Sequence, residues 1–75
     1  MPSTTILDAR GLKCPMPIVR TAQQIKTVSR GDLLEVLATD PGALADFAAW
    51  SRSTGNELVG QSVEDGVYHF ILRRK

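Results

Sequence analysis

The chain's one cysteine stands in the stretch "GLKCPMPI", with Pro15 directly after Cys14 and Pro17 two residues further on. A lone thiol invites nucleophilic chemistry, and its neighbours constrain how it is displayed. Pro15 fixes its own φ and disfavours helical geometry at the preceding residue. Cys14 is therefore predicted at the N-cap of a helix, with Pro15 and Pro17 inside the first turn. Prolines are harmless there because first-turn N–H groups have no intrahelical partners. The remaining donors, on Met16 and Ile18, would face the sulfur. A helix N-terminus favours a nearby anion by about 0.3–1 kcal/mol, and Arg10 and Lys13 push the same way. The expectation is a thiol pKa lowered by about one unit and a modestly activated nucleophile.

What the chain lacks narrows the chemistry further. A cysteine hydrolase needs a base beside its nucleophile, and the single histidine, His69, alternates with Tyr68 and Phe70 in a strand-like run as an exposed sheet residue would. No second cysteine exists for a dithiol cycle, and no Cys/His cluster for a metal. With neither base nor resolving thiol, Cys14 can accept and surrender a group but is poorly equipped to complete a reaction alone. That describes a carrier. The competing reading is a small buried apolar cysteine beside prolines that merely start a helix; the residues alone leave both open.

The elements that must position this thiol are legible in outline. Thr4 to Asp8 is short and β-prone, and ends in the turn-like "DARG". Pro15 to about Ser29 has helical spacing, with Ile18, Ala22 and Ile25 on one stripe and Gly31 at the stopping place. "DLLEVLAT" (Asp32 to Thr39) is a second strand with Leu34, Val36 and Ala38 on one face. "TDPG" then offers Asp40 as N-cap and Pro41 as first residue of a second helix. Its predicted buried side is Leu44, Phe47, Ala48 and Ser51, flanked by Trp50, and Gly55-Asn56 ends it. Two strands follow around Glu64-Asp65-Gly66, a hairpin signal. The order β-α-β-α-β-β predicts an α/β two-layer sandwich of the α+β type. Its mixed four-stranded sheet would carry both helices on one face, through crossovers between parallel neighbours, and leave the other face largely open.

Seventy-five residues bound the chain to a single domain, 1–75. With no disulfide possible, its stability must come from one small apolar core and amount to a few kcal/mol. The start "MPSTTILDAR" lacks a signal-like apolar run, and the longest apolar run, "FAAW", has four residues. A cytoplasmic protein without membrane partners is expected, a reducing setting that suits a free thiol. Net charge is +1, but residues 1–30 hold five basic residues against Asp8 alone, while residues 31–72 hold seven acids against Arg52. The segment around Cys14 is thus locally basic, which would steer acidic partners. Arg73, Arg74 and Lys75 read as a frayed basic tail.

The combination "LDARGLKCPMPIV", "GDLLEVLATDPGALADFAAW", "GNELV" and "YHFILRRK" resembles the TusA/SirA-like sulfur-carrier family over nearly the whole chain. Its most specific part is the Cys-Pro-x-Pro element at Cys14, Pro15 and Pro17, after Leu7, Asp8 and Gly11. The resemblance implies that Cys14 receives sulfane sulfur as a persulfide and passes it to another protein, with Pro15, Met16 and Pro17 shaping the site. It implies a cysteine desulfurase or rhodanese as donor and an acceptor in tRNA thiolation, molybdenum-cofactor synthesis or sulfur oxidation. No resident cofactor is implied, the persulfide sulfur being cargo. Relatives of the tRNA relay commonly carry Glu where Met16 stands, which turns the reading away from that route. Some relatives have a cysteine in the second helix where Ser51 stands.

Three alternatives remain. The fold could serve as a non-catalytic regulatory or protein-interaction module, which would keep its effect without Cys14. Nucleic-acid binding is disfavoured by near-neutral charge, few aromatics and no G-x-x-G loop. A self-sufficient thiol enzyme is disfavoured by the missing base and resolving cysteine.

Overall fold

In a computed structural model, which describes residues 3–75, the elements follow as β1 (Thr4–Ala9), α1 (Met16–Gln24) with a 3₁₀ turn (Ile25–Thr27), β2 (Leu33–Ala38), α2 (Ala43–Thr54), β3 (Glu57–Glu64) and β4 (Val67–Arg73). The predicted domain also included Met1 and Pro2, which lie outside the described residues. The four strands form one mixed sheet in the order β1-β2-β4-β3. β1 runs parallel to β2, from Thr4 opposite Leu33 to Ala9 opposite Ala38. β4 is antiparallel to both β2 and β3.

The fold class and element order are those expected, with one topological difference. The second crossover does not join neighbours, because β4 inserts between β2 and β3. The physical reason lies in side-chain burial. β4 carries "VYHFIL", apolar enough for a central position, whereas β3, "ELVGQSVE", has five exposed residues in its last six except Gly60 and suits an edge.

Period-two alternation decides the two faces. Leu34, Val36 and Ala38 of β2, Phe70 and Leu72 of β4, and Ala9 of β1 are buried beneath the helices. Phe47 of α2 closes this layer by stacking on Phe70, with ring centroids 4.4 Å apart. Among the described residues no element covers the opposite face, as expected, and Ile6 there is 64% exposed.

Three expectations within the elements are corrected. On α2 the buried residues are Ala43 and Phe47, one turn apart, while Leu44 lies at the rim beside Val63 and Tyr68. The closest approach to the sheet favours the small side chain. On α1 the deepest residues are Pro17 and Thr21, with Ile18 and Ala22 only half-buried; the Thr21 hydroxyl is satisfied by donating to the Pro17 carbonyl at 2.7 Å. The C-terminus is not frayed. Arg74 donates from its guanidinium to the carbonyls of Val28 and Lys26, and its backbone bonds Gly31 and Asp32. Helix α2 ends as expected at Gly55, whose φ of +81° is left-handed. The β3–β4 turn places both Asp65 and Gly66 at positive φ, as a two-residue hairpin turn requires.

Candidate functional site

Parallel pairing of β1 and β2 brings the two loops that leave their carboxyl ends side by side. The loop after β1 carries Cys14; the loop after β2 carries Thr39 and Asp40. They are stitched together by two bonds, Gly11 N–H to the Thr39 hydroxyl at 2.9 Å and Cys14 N–H to Asp40 Oδ2 at 2.7 Å. Asp40 Oδ1 also accepts from the Gly42 N–H at 3.1 Å. The residue expected as a helix cap thus caps the approach to α2, one turn ahead of its first residue, and anchors the cysteine loop as well.

Cys14 is exposed. It sits one residue further from α1 than expected: Pro15 occupies the N-cap, and the Met16 N–H closes a turn by donating to the Lys13 carbonyl at 2.8 Å. The Met16 donor is therefore engaged and unavailable to the sulfur. Pro17 is buried in the first turn and seats α1, whereas Met16, two residues after the cysteine, is 38% exposed.

The sulfur's own partner comes from α2. Cys14 Sγ donates to Asp46 Oδ2 at 2.7 Å. This bond is the first cause, and the field of Asp46 and Asp40 a further one, of a thiol pKa pushed up from its ordinary value. The expected lowering is thereby corrected. A carboxylate that accepts the S–H proton stabilises the thiol and opposes a second negative charge beside it. The basic neighbours do not offset this. Arg10 forks onto Asp8, Nε to Oδ1 and Nη2 to Oδ2 at 2.9 Å each, and with its own backbone N–H pulls the Asp8 carboxyl down to about 2. Lys13 is exposed, and its charge is a minor cause of the lowered pKa of Asp40, after the N–H bonds from Cys14 and Gly42.

Two depressions meet at the sulfur. One lies between the two loops and includes Leu12 and Pro41 as well as the polar side chains of Lys13, Thr39 and Asp40. The other is an apolar groove between the helices, lined by Ile18, Ala49 and Trp50, with Asp46 where it meets Cys14. Asp46 was missed from the sequence, although a signal existed. Asp46, Ala49, Trp50 and Ser53 fall on one helical stripe beside the buried Phe47 stripe, and that stripe faces α1.

His69 has no part in this arrangement. Its Nδ1 lies 3.0 Å from Glu35 Oε2 on the uncovered sheet face. Ser51, where some relatives carry cysteine, is a structural bridge: its hydroxyl donates to the Asn56 carbonyl and accepts from the Leu58 N–H. Among the described residues no group of three or more His, Cys, Asp or Glu could hold a metal ion, and no helix is long and apolar enough to cross a membrane.

A small α/β sandwich whose single exposed thiol sits where two loops and a helix groove converge defines a one-thiol domain. The comparisons make that class specific. The profile described as sulfurtransferase TusA matches residues 5–74, and the chain belongs to this family. It is 46% identical over 68 residues to the sulfur carrier protein TusA of Allochromatium vinosum, covering 91% of this chain and 90% of that one. It is 40% identical over 70 residues to TusA of Pseudomonas aeruginosa, covering 93% and 89%. Its similarity to the candidate sulfur carrier YrkF of Bacillus subtilis, 46% over 74 residues, takes in 99% of this chain but 40% of that longer protein.

Proposed function

We propose that this protein is a sulfur carrier that accepts sulfane sulfur on Cys14 as a persulfide and relays it to an acceptor protein. The observation that carries this reading is the exposure of the chain's sole thiol at the junction of an apolar groove and a cleft between two loops, in a member of the TusA family. Loading forms an Sγ–S bond as the donor's own bond to that sulfur breaks; forwarding is the same exchange with an acceptor thiol. Neither step changes the oxidation level of the pair, so no resident cofactor is needed. Cys14 is the reacting atom's residue, Pro17 seats α1 behind it, and the Cys14–Pro15 pair forms the centre of the turn that displays it.

Specificity then belongs to docking. The groove residues Ile18, Ala49 and Trp50 present an apolar surface beside the thiol that a protein partner can cover. Lys13 adds positive charge on the cleft side, which suits donor and acceptor surfaces that are acidic near their own cysteines. A cysteine desulfurase or rhodanese fits the donor role, and Met16 in place of glutamate favours sulfur oxidation or another relay over tRNA thiolation.

The decisive measurement is intact mass after incubation with a sulfane-sulfur donor. Wild type should gain the mass of one sulfur atom, reversibly by reduction, and Cys14→Ser should gain none. A module that acts by docking alone would keep its partner binding in Cys14→Ser, and loading that survives the substitution would refute the carrier reading.

A further inference from the structure

Sulfur exchange moves a proton as well as a sulfur atom, and the carrier reading above assigns no residue to the proton. Resting on that reading, we infer that Asp46 is the proton shuttle of the exchange, taking the Cys14 thiol proton as sulfur arrives and returning one as sulfur departs. Asp46 is the side chain bonded to Sγ, at 2.7 Å, and it is half-buried at the junction of the helix groove and the thiol. The other charged groups near the sulfur are differently placed. Asp40, from the loop after β2, already accepts from the N–H groups of Cys14 and Gly42. Lys13, beside Cys14 in its own loop, is a cation, and Arg10 is paired with Asp8.

Sγ attacks the outer sulfur of a donor R–S–SH, an Sγ–S bond forms, and the R–S bond to that sulfur breaks. The products are Cys14–S–SH and R–SH. The outer sulfur keeps its own protonation throughout, while the Sγ proton must reach the departing R–S⁻. Asp46 takes it from Sγ and delivers it to the leaving sulfur. In a linear S–S–S arrangement built from bonds of about 2.05 Å, the leaving sulfur lies about 4 Å from Sγ. A carboxylate with one oxygen on Sγ has its other oxygen within reach of that position. Forwarding runs in reverse, with the acceptor's thiol proton passing through Asp46 to Sγ as the acceptor takes the sulfur.

This role makes an unusual pair of demands on Asp46. In the empty carrier it keeps the thiol protonated and unreactive toward stray electrophiles. During exchange it must speed the reaction of that same thiol. Asp46→Asn, nearly isosteric and neutral, separates the two effects. Alkylation of Cys14 by iodoacetamide near pH 7 should become several-fold faster, and its pH midpoint should fall. Loading from glutathione persulfide, followed by mass, should instead slow by on the order of tenfold, the low end of what general acid–base groups contribute. The loading defect should shrink at a pH above the wild-type thiol midpoint, where no proton remains to be moved. Asp46→Glu, which keeps a carboxylate, should recover part of the loading rate and remains informative if Asp46→Asn folds poorly.

Loading by Asp46→Asn that matches wild type, or rises in step with alkylation, would overturn the shuttle and leave Asp46 a simple brake on the thiol. Loading that persists in Cys14→Ser is a separate result, and it would remove the carrier reading beneath the shuttle.

Discussion

Cys14 and Asp40 show how one residue's environment is set by another 26 positions away in the chain. Asp40 holds the cysteine loop through its bond from the Cys14 N–H and shapes the approach to α2 through its bond from the Gly42 N–H. Those two donors, in that order, hold its carboxyl below the usual carboxylate range. In the unfolded chain the group returns to about 3.9, so its contribution to stability is complete above that value. It is lost as pH falls through the lower folded value. Asp40→Ala should remove this acid-side contribution and release the loop. The thermal midpoint at pH 7 should drop by a few degrees, and amide exchange at Cys14 should quicken while that at Val36, in the core of β2, changes little. Equal acceleration at both amides would mean that Asp40 supports the whole fold rather than the loop.

At the scale of elements, α2 both closes the core and delivers Asp46 to the sulfur, and Phe47 is its fixed point. Phe47 has no exposed surface and stacks on Phe70 of β4. Phe47→Leu should cost about 1–1.5 kcal/mol in urea unfolding, and Phe47→Ala about 3–5 kcal/mol, enough to unfold most of so small a domain. A Phe47→Ala protein as stable as wild type would show that α2 is held elsewhere. The adjacent Asp46 was the part of the site hardest to read from sequence, because its contact with Cys14 joins elements 32 residues apart and leaves no local trace beyond a helical stripe. The thiol's pKa direction failed for the same reason: the nearby basic residues were visible and the distant carboxylate was not. Strand faces were legible because Leu34, Val36 and Ala38 alternate strictly. The face of α2 was not, since Ala43 and Leu44 offer adjacent stripes and only packing selects the smaller residue. The contrast between an apolar β4 and a polar β3 did carry the strand order, but β-α-β connectivity drew the expectation toward parallel neighbours instead.

Across the whole molecule the exposed thiol and the closure of the chain occupy opposite ends of the sheet. Cys14, Asp40 and Asp46 gather where β1 and β2 end, while the C-terminal residues return to where β2 begins. There Arg74 caps the carbonyls of Val28 and Lys26 after the 3₁₀ turn, its N–H donates to the Asp32 carbonyl, and the Lys75 N–H donates to Asn56 Oδ1. A guanidinium on the last carbonyls of a helical segment is favourable both as a hydrogen-bond donor and as a charge on the dipole. Arg74→Met keeps much of the aliphatic stem and removes the donors. It should lower unfolding free energy by roughly 1–2 kcal/mol, as expected for a partly exposed charge-assisted bond. Because no partner among the described residues is shared between this end and the thiol, the loss should add to that of Asp40→Ala without an interaction term. The Cys14 alkylation rate and its pH midpoint should stay at wild-type values under conditions where the variant is folded. A shifted midpoint in Arg74→Met would show that the tail reaches the thiol through the sheet, and the two ends could then no longer be treated as independent.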